Sequence, residues 1–222
     1  MDFSRLPETA FVHPRGENRA AIEALLSQVA TRILDYLTGA AAAPPLPEKE
    51  PVQEIALPKK TGNITTLMAT LDTVLHTAMN PAHPGYVGHM DPLPTTASII
   101  GDWVVAALNN NMLSVEMSPF FSRLEPLLLR EIAQRFGLGD RAGGLLVSGG
   151  SLANLQALAV ARNVKLGTLK TGLMTQAQPP VFFMSEAAHS SIKKAAMLLG
   201  LGTDGAIAVA TNEQSQLDMP AL

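Results

Sequence analysis

The chain has 222 residues, nearly half of them apolar, a formal charge of −3 and no cysteine. That length is enough for a packed core of one or two domains, while the charge balance supplies no basic field for nucleic acid or anionic lipid. Lack of cysteine excludes disulfide staples and thiolate metal sites and fits a reducing compartment. The opening MDFSRLPETA has an acid at position 2 and no apolar run behind a basic one, so it does not read as a secretory signal. The most apolar window, Ala97 to Leu108, contains Asp102 and is too short to cross a bilayer. The expectation is a soluble, cytoplasmic protein without nucleic-acid or membrane partners.

Residues 17 to 39 carry Ile22, Leu25, Leu26, Val29, Ile33 and Leu37 at three- and four-residue spacing, the stripe of an amphipathic helix that stops near Gly39. From Ala40 to Lys60, five prolines (Pro44, Pro45, Pro47, Pro51 and Pro58) forbid a regular helix and predict an extended connector. A second helix is expected from Asn63 to Met79, with Ile64, Leu67, Met68, Leu71, Leu75 and Met79 in register. Two such helices and a Pro-rich strap have little core of their own. They read as an arm, residues 1–79, that packs on a larger body or a second subunit, or else as a small helical domain.

At NPAHPGYVGHMDPLP the chain turns to loop chemistry, ahead of a helix-like run from Thr95 to Leu108. Ser118 followed by Pro119 predicts an N-cap and a first-turn proline for a helix ending at Gly137, with Pro126 inside it. Beyond that point strand-like and helix-like segments alternate. Strands are expected at 144–148, 181–185 and 206–211, and helices at 151–166 and 186–199. Short links between them imply an α/β domain with a largely parallel sheet over 80–222.

The run LLVSGGSLANLQALAVAR passes from a strand through Ser148, Gly149 and Gly150 into a helix starting Ser151-Leu152-Ala153-Asn154. Strand, glycine turn and helix form an anion-binding arrangement: the glycines admit close backbone approach, and unpaired first-turn amides and the macrodipole favour negative charge. The Ser151 hydroxyl can add a donor. An ordinary turn with an N-cap is the alternative. There is no Lys after the second glycine, as a Walker motif needs, and no G-x-S-x-G elbow. Residues 200–205, GLGTDG, match G-x-G-x-x-G but follow a helix and precede a strand, the reverse of the dinucleotide order.

His189 follows the strand VFFMS at the carboxyl end, where α/β sheets place ligands. It can stack on a flat ring, shuttle a proton, or serve as a helix-start histidine bonded to backbone. His83 and His89 flank Gly85, Tyr86 and Gly88; without cysteine or a carboxylate pair at ligand spacing they read as pocket-lining or turn-bonding residues, and no metal site is expected. Asn109, Asn110 and Asn111, followed by Glu116, read as helix-terminating or as a polar pocket wall.

Taken together, NPAHPGYVGHM, LNNNMLSVEMSP followed by Leu124-Glu125, GLLVSGGSLANLQALAVAR and AAHSSIKKAAMLLGLG resemble the group II pyridoxal-phosphate-dependent decarboxylases, a family that includes aromatic-amino-acid, glutamate, histidine and diaminobutyrate decarboxylases. The resemblance runs from about Asn80. It implies an incomplete large domain of the fold type I, aspartate-aminotransferase-like kind, preceded by an arm that embraces the partner in a homodimer. It also implies pyridoxal 5'-phosphate as cofactor and decarboxylation of an amino acid to an amine. Gly150 and Ser151 fall where the family binds the cofactor phosphate. His189 falls where it stacks an imidazole on the pyridine ring with a second, catalytic role near the substrate, and Tyr86 to Met90 where it lines the substrate pocket.

Two further family residues, an Asp paired with the pyridine nitrogen and the Schiff-base Lys, lie beyond Leu222 in the family's order. Lys49, Lys59 and Lys60 are in the strap, Lys165, Lys193 and Lys194 on helices and Lys170 in a loop, so none matches that position. A companion chain completing the fold, or a truncated non-catalytic remnant, is the alternative to a decarboxylase.

Overall fold

A computed structural model describes residues 6–47, 62–88, 90 and 93–222. They form two compact units divided between Leu108 and Asn109. By compactness alone, residues 80–108 therefore group with the helices that precede them.

The first unit is helical. Helix α1 (Arg19–Thr38) is entered through a turn organised by Asn18, whose Nδ2 donates to the carbonyls of Glu8 and Phe11 while Oδ1 accepts the His13 amide. Helix α2 (Ile64–Thr77) begins at Asn63, whose side chain accepts the Thr66 amide at 2.8 Å, an N-cap that satisfies one orphan donor. Three contacts join the helices and their ends. Arg32 Nε donates to Asp72 Oδ1 at 2.8 Å, Tyr36 donates to the Met79 carbonyl at 3.0 Å, and the buried Asn80 side chain donates to the Ala40 and Ala43 carbonyls.

Residues 40–43 depart from the expected extended strap: the amides of Ala42 and Ala43 both donate back to the Gly39 carbonyl. Four alanines precede the first proline, so nothing opposes these turn bonds until Pro44. Pro51 and Pro58 lie outside the described residues. Helix α3 (Thr96–Leu108) is mostly apolar, yet Ile100, Trp103, Val104 and Val105 are each about half exposed.

In the second unit α4 (Phe121–Arg135) starts later than the predicted cap. Ser118 behaves as a cap through its carbonyl, which accepts the Ser122 amide at 3.0 Å, but its fully buried hydroxyl has no partner among the described residues. Pro126 sits within α4 as expected; lacking an amide, it leaves the Ser122 carbonyl without its i+4 donor.

A parallel β-α-β unit follows. Strands β1 (Phe182–Ser185) and β2 (Ala206–Val209) pair with Phe182 opposite Ala206 and Ser185 opposite Val209. Helix α6 (Ser191–Leu198) connects them and packs through Ala195 and Ala196, which are almost completely buried. Small side chains let the helix approach the sheet, and Met184, Ala196 and Ala206 form the core, with Phe182, Ala188, Ile192 and Leu201 against it. Helix α5 (Gly150–Leu166) lies beside α6 and ends at Gly167, whose φ of 64° is the left-handed conformation a helix C-terminus favours. Asn154 near the start of α5 contacts Ser191 at the start of α6, and Arg162 near its end donates to the Leu199 carbonyl at 2.9 Å, so the helices run parallel.

Three sequence-based boundaries change. Residues 144–148 are irregular, with a bend at Ser148, and form no strand; a strand needs a ladder partner, and the Leu146 amide is instead taken by Glu125 Oε1 at 2.8 Å. The expected helix 186–199 starts only at Ser191, because the Glu186 amide continues the sheet by donating to the Val209 carbonyl and the Ala188 amide turns back to Ser185. The last strand stops at Val209, after which Thr211 makes an antiparallel bridge with Leu217. GLGTDG is a connector from α6 to β2, with Gly200 and Gly202 at positive φ and a short 3-10 turn over Thr203–Gly205.

Among the described residues no helix is long and apolar enough to cross a membrane, and no group of three or more His, Asp or Glu side chains is placed to hold a metal ion.

Candidate functional site

The site is built where α5 and α6 begin, at the carboxyl end of β1. Parallel helices bring both N-termini to one edge, so their free amides and dipoles add there. At α5 the approach is made by Gly149, with φ 90° and ψ 161°, a conformation open essentially only to glycine. Its amide turns back to the Val147 carbonyl, and its carbonyl accepts the Ala153 amide as the first bond of the helix. The amides of Gly150, Ser151 and Leu152 are left without an acceptor among the described residues. A Cβ built on Gly149 or Gly150 meets no heavy atom within 4 Å, and Ser151 is exposed. The predicted anion cradle thus has free donors and open space in front of them.

His189 lies in the turn before α6, not inside the helix. Its carbonyl accepts the Ile192 amide at 3.0 Å and its Nδ1 accepts the Ser191 amide at 3.2 Å, so the side chain caps the helix. The helix-start reading therefore describes Nδ1. It leaves the rest of the ring exposed, and Nε2 has no partner among the described residues. Ser191 Oγ also lies 2.8 Å from Nδ1 and accepts a bond from Asn154 Nδ2 at 2.8 Å. Gly150, Ser151 and His189 are thereby brought to neighbouring helix starts, linked through Asn154 and Ser191.

Neither Asn154 nor Ser191 stood out in the sequence. A Ser two residues after a histidine at a helix start was the local signal for one; the other depends on a contact across 37 residues.

Behind the edge, Glu186 Oε1 accepts both the amide and the hydroxyl of Thr211 at 2.9 Å. These bonds, the amide's first, hold the Glu186 carboxyl below its ordinary value. Glu116 is held low as well, by the Ser114 hydroxyl and then its own amide. Asn109 follows the last residue of α3 with φ 45°, as a helix-terminating Asn does. His83 makes a turn bond, its Nδ1 accepting the Gly85 amide at 2.9 Å; His89 lies outside the described residues. Tyr86 donates to Met79 Sδ at 3.4 Å. Lys165 stands in the last turn of α5, at the far end from Gly150, while Lys170, Lys193 and Lys194 are exposed.

Residues 45–222 match the family model for the pyridoxal-dependent decarboxylase conserved domain. A glutamate decarboxylase-like protein of Gibberella zeae is 33% identical over 153 residues, 68% of this chain and 29% of that protein. Mouse CSAD superimposes with a TM-score of 0.82 at 25% identity, over 89% of this chain and 43% of that one. Oryza sativa TDC, solved with PLP and tryptamine, gives a TM-score of 0.78 at 21% identity, over 94% of this chain and 47% of that one. The chain spans under a third of the curated relative and less than half of these solved chains, so its fold is part of a fold type I large domain with a helical segment before it. By the extent of the matched residues and the motifs in their order, the chain belongs to the pyridoxal-dependent decarboxylase family.

Proposed function

We propose that this chain supplies the cofactor-phosphate and ring-stacking part of a pyridoxal 5'-phosphate site in an enzyme that decarboxylates an L-amino acid to its amine. The observation that carries the reading is the α5 start: three unpaired amides, a glycine-only backbone at Gly149 and open space over Gly150. A phosphate dianion suits that donor set, whereas a neutral turn has no use for it.

In this reading the amides of Gly150 and Ser151 and the Ser151 hydroxyl hold the phosphate. His189, free on its ring face and at Nε2, stacks on the pyridine ring and holds a proton at Nε2 near the substrate. When bound, the cofactor ring accepts the electron pair released as the Cα–carboxylate bond breaks. The arm, here residues 1–79, joins a second copy or a companion chain in a cytoplasmic assembly. Half-exposed apolar residues along α3 support a need for such a partner, and equally support a second reading in which the chain alone is a non-catalytic remnant.

The test is pyridoxal phosphate binding by the 222-residue chain, followed by release of labelled CO₂ from carboxyl-labelled L-amino acids, with and without an added polypeptide that carries the family's Schiff-base Lys. Binding competed by inorganic phosphate, with CO₂ release in at least one arrangement, is expected. Binding without CO₂ release in either arrangement would favour the remnant, and no binding would overturn the site.

A further inference from the structure

We infer that Ser191 and Asn154 are positioning residues for His189, fixing both the ring's orientation and its tautomer. The inference deepens the reading of the site given above and rests on it for its relevance to the cofactor. A backbone amide can only donate, so the Ser191 amide at 3.2 Å requires a lone pair on Nδ1. The Ser191 hydroxyl, 2.8 Å from the same nitrogen, donates to it as well. That direction is set from behind, because Asn154 Nδ2 donates to Ser191 Oγ at 2.8 Å and leaves the hydroxyl proton to point at the ring. The consequence is an imidazole tautomer that accepts at Nδ1 and carries its proton on Nε2, the nitrogen that has no partner among the described residues.

Burial makes the arrangement exacting. Ser191 is 3% exposed and packs where α5 and α6 meet, so water does not substitute for a lost hydroxyl without opening that contact. Asn154 stands in the second turn of the helix whose first-turn amides form the anion cradle. The same side chain therefore fixes the position of His189 relative to the cradle, which a stacking ring and a phosphate anchor on one rigid cofactor both require.

The experiment records ring ¹⁵N shifts of His189 in the full chain without cofactor, assigned by loss of the signal in His189→Gln. The wild type is expected to show a pyridine-like Nδ1 and a pyrrole-like Nε2. Ser191→Ala keeps only the longer amide bond to Nδ1, so it should draw the two shifts partway toward each other at unchanged helix content. Ser191→Thr, which keeps the hydroxyl, should restore the wild-type pattern. Should the Thr methyl disturb the fold, Asn154→Asp, nearly isosteric, reads the same relation: an acceptor turns the Ser191 hydroxyl away from the ring and weakens the Nδ1 bias. A protonated Nδ1 in the wild type, or a pyridine-like Nδ1 unchanged in Ser191→Ala and Asn154→Asp, overturns the inference. Pyridoxal phosphate binding is measured separately, so a chain that shows the tautomer but does not bind cofactor defeats the functional reading and leaves the positioning intact.

Discussion

Glu186 clasps Thr211 at two points, accepting its amide and its hydroxyl on one carboxylate oxygen, and so joins the turn that carries His189 to the chain leaving β2. Because the folded state holds this carboxyl below its ordinary value of 4.5, the contact contributes fully above that value and is lost as pH falls through the lower, folded value. Glu186→Gln should therefore be less stable than wild type at neutral pH, with the difference shrinking toward zero in acid. Urea melts at pH 7 and at successively lower pH check this; a constant difference would show that the carboxylate's charge is not what Thr211 holds.

The two cradle glycines should fail in different ways. Gly149→Ala forces a side chain into the backbone region at φ 90°, with an expected cost of roughly 1–3 kcal/mol in stability. Gly150→Ala meets no protein atom and no positive φ, so the melt should shift little, but its methyl stands in the open space and weakens phosphate and cofactor binding. Urea melts and equilibrium dialysis together separate the two effects.

Ser151→Ala removes a hydroxyl donor to a charged group and leaves the amides in place. A loss of about 1.5–3 kcal/mol of binding, on the order of tenfold or more in Kd, is expected without a change in fold. Titration with pyridoxal phosphate, repeated with inorganic phosphate as competitor, provides the measurement.

In the helical unit the buried polar clip should outweigh the ion pair. Asn80→Ala strands the buried Ala40 carbonyl and should cost about 1–3 kcal/mol. Arg32→Gln breaks a part-exposed pair with Asp72 and should cost about 0–1 kcal/mol. Thermal melts of the two variants give the ordering.

The exposed apolar face of α3 and the two-stranded sheet both predict self-association of the isolated chain. Replacing Ile100 and Val105 with Lys should lower the sedimentation-average mass if α3 is the adhesive face. A wild-type chain that sediments as a monomer and melts cooperatively would contradict the expectation.

The helices were legible because periodicity is local: α1, α2, α3 and α5 begin and end within a few residues of the expected positions. Residues 144–148 misled because three apolar residues in a row, Leu145, Leu146 and Val147, state that a segment is strand-like, but not that a neighbouring strand exists to pair with it. The start of α6 misled for another reason. Ala187, Ala188 and the following serines are compatible with helix, and the bonds of Glu186 to Val209 and Thr211 together with the turn of the Ala187 and Ala188 amides back to Ser185 withdraw those residues from it. At the site, Gly150, Ser151 and His189 were visible as residue types at an α/β edge. Their connection through Ser191 and Asn154 was not, since nothing in either neighbourhood names its counterpart on the other helix.

The clasp between α5 and α6 has equal spacing at both ends: Asn154 and Ser191 are 37 residues apart, and so are Arg162 and Leu199. The two helices are thus held in step at two points about 12 Å apart, given 1.5 Å per helical residue. Register between them depends on those side chains and not on the length of the chain that links them. In the linking segment Thr168 and Gln176 are tied back to Asn163 and Leu166, so changes of length are expected after Gln176, while the eight-residue interval between the two contacts is fixed on both sides.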